Sequence, residues 1–418
     1  MSYLNHLGDK ITLCPIDRNF LPQEKLDIVE REKTSLYPWR GQFSPGLVEI
    51  LLDGYSARDT VVFDPFVGSG TTLFEASRRG LPCYGGDINP AAVFFATQAE
   101  FVNLNIQERQ QILDIAAQLI EQHLGDYLSP TLFRVPKQTP PTQPIERAIV
   151  QLVKEGKGDN NASAKVRLLH SLLVTSLMLA MGDRDSVTGD EFQAAYERNR
   201  FIVSNLPFNS RICQVFMADA RQVPLPNDSI NLVITSPPYI NVFNYHQNYR
   251  KALELLGWRL LEIAPSEIGS NRKHRGNRFM SVVQFCIDLA QVLAEIRRVL
   301  CSDGRAIFVI GRESKVRGVA FNNAQLLGAI ATGGAGFQLE RWQERKFTNR
   351  FGVTIYEDIL TLKRAVEISD SPAEFGRRVG ELALRNALNA VSGEVQEDIE
   401  QAIGRSGKIL PSPLFRVP

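Results

Sequence analysis

Three carboxylates and a glycine loop are the first residues in this chain whose types and spacing suggest chemistry. Asp64-Pro65-Phe66-Val67-Gly68-Ser69-Gly70-Thr71 follows a short apolar run from Thr60 and leads into residues with helical periodicity, so it reads as strand, tight loop, helix. A P-loop requires Lys-Ser or Lys-Thr directly after its last glycine, whereas Gly70 is followed by Thr71-Thr72. A dinucleotide fingerprint requires a third glycine, and Leu73 stands there instead. What remains is an acid at a strand end and glycines that let a ligand approach the backbone closely. That combination suits a nucleoside carrying a cationic amino-acid arm better than a pyrophosphate. Asp87 closes the next short strand, 17 positions beyond Gly70, where a carboxylate can accept both ribose hydroxyls. Asp219 closes a third strand and is a candidate acceptor for an adenine amino group. One such Asp more often caps a helix or turn, but three at successive strand ends beside a glycine loop are harder to explain that way. A further constellation, Ser236-Pro237-Pro238-Tyr239, ends the apolar run Leu232-Val-Ile-Thr235. Taken alone it also reads as a proline turn with a packed tyrosine.

The elements that must position these residues alternate as βα units. Thr60–Ala76 is one, and Leu81–Ala96 is a second whose strand stops at Asp87. The pattern resumes at Ile212–Asp219 and Ile230–Ser236, and again at Arg305–Ile310 and Glu357–Leu362. The fold class expected is α/β, a doubly wound, mostly parallel sheet. Residues 337–347 alternate enough to pair with 357–362 as an antiparallel edge hairpin. Between the two halves, Ile106–His123, Ile145–Gly156 and Lys165–Met181 have amphipathic helical character and are separated by the Pro/Thr/Gln-rich stretch Pro136–Pro144. The expected organisation is a catalytic domain over 30–102 and 203–365, a helical insertion over 103–202, and a C-terminal helical tail over 366–418. A repeated pentapeptide, Leu132–Pro136 and Leu414–Pro418, follows Ser-Pro in both places. Chance or simple packing is the favoured reading, with a shared docking mode left open.

The 418 residues carry Lys+Arg 47 against Asp+Glu 46, a net charge of +1, and 44% are hydrophobic. This excludes disorder, collagen, coiled coil and a polybasic protein that holds phosphates everywhere by charge alone. No window approaches ~18 consecutive apolar residues, and MSYLNHLGDK lacks signal-peptide order, so a soluble cytoplasmic protein without membrane contact is expected. Cys14, Cys83, Cys213, Cys286 and Cys301 are scattered singly, which predicts buried free thiols and no metal. The five histidines show no ligand or triad spacing, although His246 lies close enough to the Ser236 loop to matter for substrate contacts.

The segment Asp64–Thr71 resembles the cofactor motif of S-adenosylmethionine-dependent methyltransferases that modify exocyclic amino groups of DNA, the cytosine-N4 and adenine-N6 family of the Ser-Pro-Pro-Tyr type. Tyr37-Pro-Trp-Arg40-Gly-Gln-Phe43-Ser-Pro45 is similar to that family's segment closing over the methionine end of the cofactor. The resemblance implies a Rossmann-like methyltransferase fold in one of the family's permuted arrangements, with S-adenosyl-L-methionine as cofactor. It also implies that Arg40 and the backbone after Phe43 meet the cofactor carboxylate, and that Asp64, Pro65, Phe66, Gly68, Gly70, Thr71, Asp87 and Asp219 form the rest of the cofactor site. It covers roughly half of the chain, with specific motifs at 37–45, 64–72 and 236–239.

An exocyclic amino nitrogen is a poor nucleophile because its lone pair is delocalised into the ring. A site must therefore accept hydrogen bonds from both amino hydrogens and hold the nitrogen in line with the methyl group. Ser236 Oγ and the Pro237 carbonyl are suitable acceptors, the second proline fixes that carbonyl's direction, and Tyr239 offers a flat face to a flipped base. Serine in first place is typical of cytosine-N4 members, Asp of adenine-N6 members and Asn of relatives acting on other amino nitrogens. Cytosine N4 is the expected target, with adenine N6 as competitor. A tRNA or protein amide substrate, or a non-catalytic DNA-binding module, are the further alternatives.

Residues 240–280 form the expected DNA-contacting segment on double-stranded DNA. Asn241 and Tyr245 can read or stack on bases, and Arg250 can hold a phosphate. Arg272, Lys273, Arg275 and Arg278 form a compact basic stretch suited to backbone contact, although such runs are often only solvated loops. A companion restriction endonuclease is an expected partner of such an enzyme.

Overall fold

The computed structural model describes residues 14–27, 35–130, 143–157, 163–240, 244–269, 274, 276–348, 352–365 and 371–416. Seven strands form one sheet: β1 (Val62–Asp64), β2 (Cys83–Asp87), β3 (Cys213–Met217), β4 (Ile230–Thr235), β5 (Leu300–Gly311), β8 (Phe337–Thr348) and β9 (Thr354–Arg364). A separate two-stranded hairpin pairs β6 (Glu313–Val316) with β7 (Val319–Asn322). The order across the large sheet is β3-β2-β1-β4-β5-β9-β8. The pairs from β3 to β5 are parallel, whereas β9 runs antiparallel to both β5 and β8. The doubly wound, mostly parallel sheet and its edge hairpin are as expected.

Strand side chains alternate between two apolar layers. Val62, Leu232, Ile234, Ile307 and Val309 face one layer, and Phe63, Val233, Ala306, Phe308 and Ile310 face the other. Helices Pro45–Tyr55, Thr71–Arg78 and Pro90–Thr97 cover the first face. Met280–Val299, Asn323–Gly333, Pro372–Leu388 and Glu394–Arg405 cover the second. The C-terminal tail, expected to be helical, contains two of these helices, Pro372–Leu388 and Glu394–Arg405.

The inserted helices are Ile106–Leu124, Ile145–Lys157, Ala164–Met181 and Gly189–Ser204. They join the first apolar layer and do not form a core of their own: Leu172, Leu173 and Phe192 belong to the same buried cluster as Phe95 and Ile234. Polar ties fasten them to the sheet as well. Gln98 Nε2 donates to Ser171 Oγ at 2.8 Å and Thr175 Oγ1 at 3.1 Å. Arg167 pairs with buried Glu100, whose Oε1 accepts the Val215 amide of β3 at 2.8 Å. Helix Ala164–Met181 is long and apolar enough to cross a membrane by length and composition, and 67% of it is buried in this fold.

Cys83, Cys213 and Cys286 are buried, as expected, whereas Cys14 and Cys301 are half-buried. Of the repeated pentapeptide, the copy at 132–136 lies outside the described residues. The second copy docks: Phe415 N donates to Asp219 Oδ2 at 2.9 Å, and the main-chain oxygens of the preceding Ser412 and Pro413 accept from Arg221.

Candidate active site

A doubly wound sheet opens a crevice where its strand order reverses, at the carboxyl ends of the central strands. Here the reversal falls at β1, which has β2 on one side and β4 on the other. The pocket at that edge is lined by the glycine loop, Asp87, residues 218–220, Ser236, Pro238, Tyr239, Tyr245 and residues 266–268, with Trp39, Gly41 and Phe43 over it.

Asp64 organises the glycine loop. Its Oδ1 accepts from Thr235 Oγ1 at 2.6 Å and the Phe66 amide at 3.1 Å, and its Oδ2 accepts from Thr72 Oγ1 at 2.7 Å. One carboxylate therefore ties β1 to the end of β4 and to the helix Thr71–Arg78. Burial pushes its carboxyl up to about 6 against those bonds. Pro65, Phe66, Gly68 and Thr71 border the pocket as expected. Gly68 has φ +51°, and a Cβ there would stand 3.2 Å from Trp39 Nε1. Gly70 does not border the pocket. Its φ is +86° and a Cβ would lie 2.9 Å from Ala96 Cα, so this glycine is required for packing against helix Pro90–Thr97 and not for ligand approach.

Asp87 accepts the Asn89 amide on Oδ1 at 2.9 Å and the Gly68 amide on Oδ2 at 3.3 Å. Burial, with the charges of Asp64 and Glu267 adding to it, pushes its carboxyl up to about 7 despite these bonds. It borders the pocket with acceptor capacity to spare.

Two residues expected at the cofactor have partners within the chain. Asp219 borders the pocket, and its carboxylate accepts four bonds from the chain itself. Oδ1 accepts Arg221 N at 3.0 Å and Nε at 2.9 Å, while Oδ2 accepts Arg221 Nη2 at 2.7 Å and Phe415 N at 2.9 Å. Arg40 pairs with Asp183 at 2.9 Å, both side chains being well exposed, while its neighbours Trp39 and Gly41 border the pocket. Phe43 borders the pocket, and its carbonyl accepts from Ser35 Oγ at 3.3 Å.

At the end of β4, Ser236 Oγ and Tyr239 Oη lie 3.3 Å apart. Burial holds the Tyr239 phenol protonated, well above the ordinary tyrosine range. A Cβ at Gly311 would come within 3.0 Å of Tyr239 Cε2, so the β5 backbone seats the ring. Pro238 borders the pocket, and the Pro237 between it and Ser236 is buried.

Of the expected DNA contacts, Asn241, Arg272, Lys273 and Arg275 lie outside the described residues. Tyr245 borders the pocket, and its carbonyl accepts from Asn89 Nδ2 at 2.8 Å. Arg250 begins the short helix Arg250–Leu255 and pairs with Glu254 at 2.6 Å, and Arg278 is exposed in the turn before helix Met280–Val299. Neither borders the pocket.

Trp39, Ile88 and Glu267 are pocket residues that sequence reasoning missed. Trp39 stands inside the quoted Tyr37–Pro45 motif and was within reach, whereas nothing local marks Glu267. Its Oε1 accepts His246 N at 2.6 Å and its Oε2 faces His246 Nδ1 at 2.9 Å.

Residues 19–98 match the model of a DNA methylase family. The chain is similar to DNA methylases of the N6/N4 type. It is 34% identical over 88 residues to the type II methyltransferase M.MjaII of Methanocaldococcus jannaschii, a match covering 20% of this chain and 16% of that protein. It is 25% identical over 283 residues to the type II methyltransferase M.BsoBI of Geobacillus stearothermophilus, covering 53% of each. The chain thus spans about half of one relative's length and less of the other's. Among solved structures, a SAM-dependent methyltransferase from Methanosarcina mazei is similar at TM-score 0.34 and 10% identity, over 76% of this chain and 98% of that one. The resemblance read from the motifs at 37–45 and 64–72 is borne out at the level of that family.

Proposed function

We propose that this protein methylates an exocyclic amino group of a base flipped out of DNA, cytosine N4 first, with S-adenosyl-L-methionine as methyl donor. The observation carrying this reading is one pocket that joins Ser236 and Tyr239 to the glycine loop and Asp87. Among the described residues its lining holds four acids, Asp64, Asp87, Asp219 and Glu267, and no Lys, Arg or His. That balance suits a cationic nucleoside and disfavours a phosphate. When bound, S-adenosylmethionine supplies a methyl carbon whose bond to sulfur breaks, with the electron pair kept by sulfur, as the amine lone pair arrives.

The chain's own residues have three tasks. Asp87 accepts the ribose hydroxyls, and Gly68 keeps the loop backbone close to the ligand. Trp39 and Phe43 close the pocket and exclude water. Ser236 Oγ accepts one amino hydrogen and the main-chain carbonyl of Pro237, held between the pocket residues Ser236 and Pro238, accepts the other, which returns lone-pair character to the nitrogen, while Tyr239 stacks on the base. The amine proton is lost to water. The family match supports an amino target on DNA, and Ser236 in first place supports cytosine. A role in protecting host DNA beside a restriction endonuclease follows the type II naming of both relatives.

Nucleoside mass spectrometry on DNA from cells expressing the wild type and Ser236→Ala tests this. N4-methylcytosine is expected, reduced about 100-fold or more in Ser236→Ala, in line with the loss of one preorganised transition-state hydrogen bond, while S-adenosylmethionine binding persists. N6-methyladenine instead would overturn the choice of base and keep the mechanism. Folded protein that binds the cofactor yet modifies neither base would sink DNA as substrate.

A further inference from the structure

Residues 410–416 form neither helix nor strand, and among the described residues no main-chain to main-chain hydrogen bond holds them. Side chains of the body hold them instead. Gln284 Nε2 donates to the Leu410 carbonyl at 3.0 Å, and Arg221 donates to the carbonyls of Ser412 and Pro413 at 2.7 and 2.8 Å. In return, Ser412 N donates to Asp288 Oδ1 at 2.8 Å, Ser412 Oγ to Asp288 Oδ2 at 2.6 Å, and Phe415 N to Asp219 Oδ2 at 2.9 Å. Three of these anchors form a buried ion cluster, in which the side chains of Arg221, Asp219 and Asp288 are 1%, 4% and 0% exposed. Phe415 packs against the first apolar layer, while Leu414 beside it is 49% exposed.

The same anchors belong to the pocket. Asp219 and Ala220 line it directly, Arg221 follows them, and Ser412 Oγ faces the carbonyl of Glu267, another lining residue, at 3.5 Å. One guanidinium joins wall to segment. Its Nη2 serves Asp219 Oδ2 at 2.7 Å and the Pro413 carbonyl, and its Nη1 serves Asp288 Oδ1 at 3.2 Å and the Ser412 carbonyl. Lifting the segment strips buried donors and acceptors of their partners, and the cluster must rearrange to satisfy them. A segment whose backbone is held by side chains alone opens locally more readily than a strand or helix. We propose that residues 410–416 are a strap of the S-adenosylmethionine site. Seated on Asp219, Arg221 and Asp288, they hold the pocket wall at 218–220 in its binding form, so that strap seating and cofactor binding favour each other. This rests on the S-adenosylmethionine reading above. Arg221 and Ser412 are positioning residues, since they reach the cofactor only through the wall. The coupling is reciprocal: whatever factor the seated strap adds to cofactor affinity, bound cofactor adds to seating.

The test measures both directions on the full chain. Hydrogen exchange with and without saturating S-adenosylmethionine reads seating at the Ser412 and Phe415 amides, with the β6–β7 hairpin as distant control. Both amides should slow by about tenfold or more, a typical coupling between two sites, and the hairpin by less than about twofold. Replacing residues 410–416 by a Gly/Ser stretch of equal length should weaken S-adenosylmethionine binding by the same factor. A segment that only supported the fold would lose stability on replacement and keep affinity. Exchange at Ser412 and Phe415 that slows no more than the hairpin, or a folded replaced chain that binds within about twofold of the wild type, would each overturn the strap. The exchange arm needs no variant, so it decides the matter even if the replaced chain does not fold. Failure of the wild type to bind S-adenosylmethionine at all would instead refute the cofactor reading on which the strap stands.

Discussion

Asp87 and Asp219 close neighbouring parallel strand segments, and the Ala218 amide donates to the Asp87 carbonyl at 3.1 Å. As sequence they are alike: an acid after a short apolar run, just before a helix or turn. In the folded chain they part company. Asp87 meets two main-chain amides and keeps room for a ligand, whereas Asp219 meets a guanidinium two residues away and the amide of Phe415, 196 positions on. A strand end at the switch point thus offers a place for chemistry, and long-range partners determine whether the side chain there remains available.

The largest effect that would break this comparison is on stability. Arg221→Ala leaves Asp219 and Asp288 buried without their counter-charge, and the cost of stranding a buried charge is about 3–5 kcal/mol. Denaturant unfolding should show it, and a loss under about 1 kcal/mol would mean the cluster is not structural.

Asp87→Asn should act on the ligand and not on the fold. Its expected signature is S-adenosylmethionine affinity lowered about 10- to 100-fold, for a charged acceptor facing two hydroxyls, with unfolding free energy unchanged or raised. A destabilised Asp87→Asn with normal affinity would reverse the roles assigned to the two acids.

The pH dependence sharpens the same contrast. Asp87 titrates at about 7 in the fold, above its ordinary value of 3.8, so the folded state holds an extra proton between roughly pH 4 and 7. Stability contributed by this group is therefore greatest at low pH and falls as pH rises across that window. Affinity for a cationic nucleoside should rise through about pH 7 as the carboxylate ionises. Thermal scans and binding titrations across this range should show both slopes reduced in Asp87→Asn. Asp64 and Asp288, each raised to about 6, keep part of the stability slope in that variant.

The smallest effect concerns the outward-turned Arg40. Removing an exposed ion pair changes stability by about 1 kcal/mol or less, so Arg40→Ala should bind S-adenosylmethionine within about twofold of the wild type. A tenfold loss, measured in the same titration, would return Arg40 to the cofactor site.

Much was legible from local pattern. Three of the four inserted helices begin and end within one residue of the expected segments, because their apolar periodicity and caps are local: Asn105 and Glu108 form a capping box at Ile106. Gly189–Ser204 lies outside the expected segments, although Thr188 and Glu191 form a capping box there too. The edge hairpin followed from alternation, and the glycine loop from Gly68 and its flanking acid. That the insertion shares the sheet's core was not legible, since amphipathic faces do not name the surface they cover.

The sequence by itself determined the parallel sheet, the order of its motifs and the chemical types collected at the ends of β1, β2 and β4. Hydrophobic period and backbone requirements are written residue by residue. Only the tertiary structure decided which side chains are free to act: it directed Arg40 to Asp183, consumed Asp219 with Arg221 and Phe415, set Gly70 against Ala96, and brought Glu267 and His246 to the pocket. The physical reason is that a carboxylate or guanidinium is satisfied by whichever partner the packed chain presents, and those partners lie tens to hundreds of residues away.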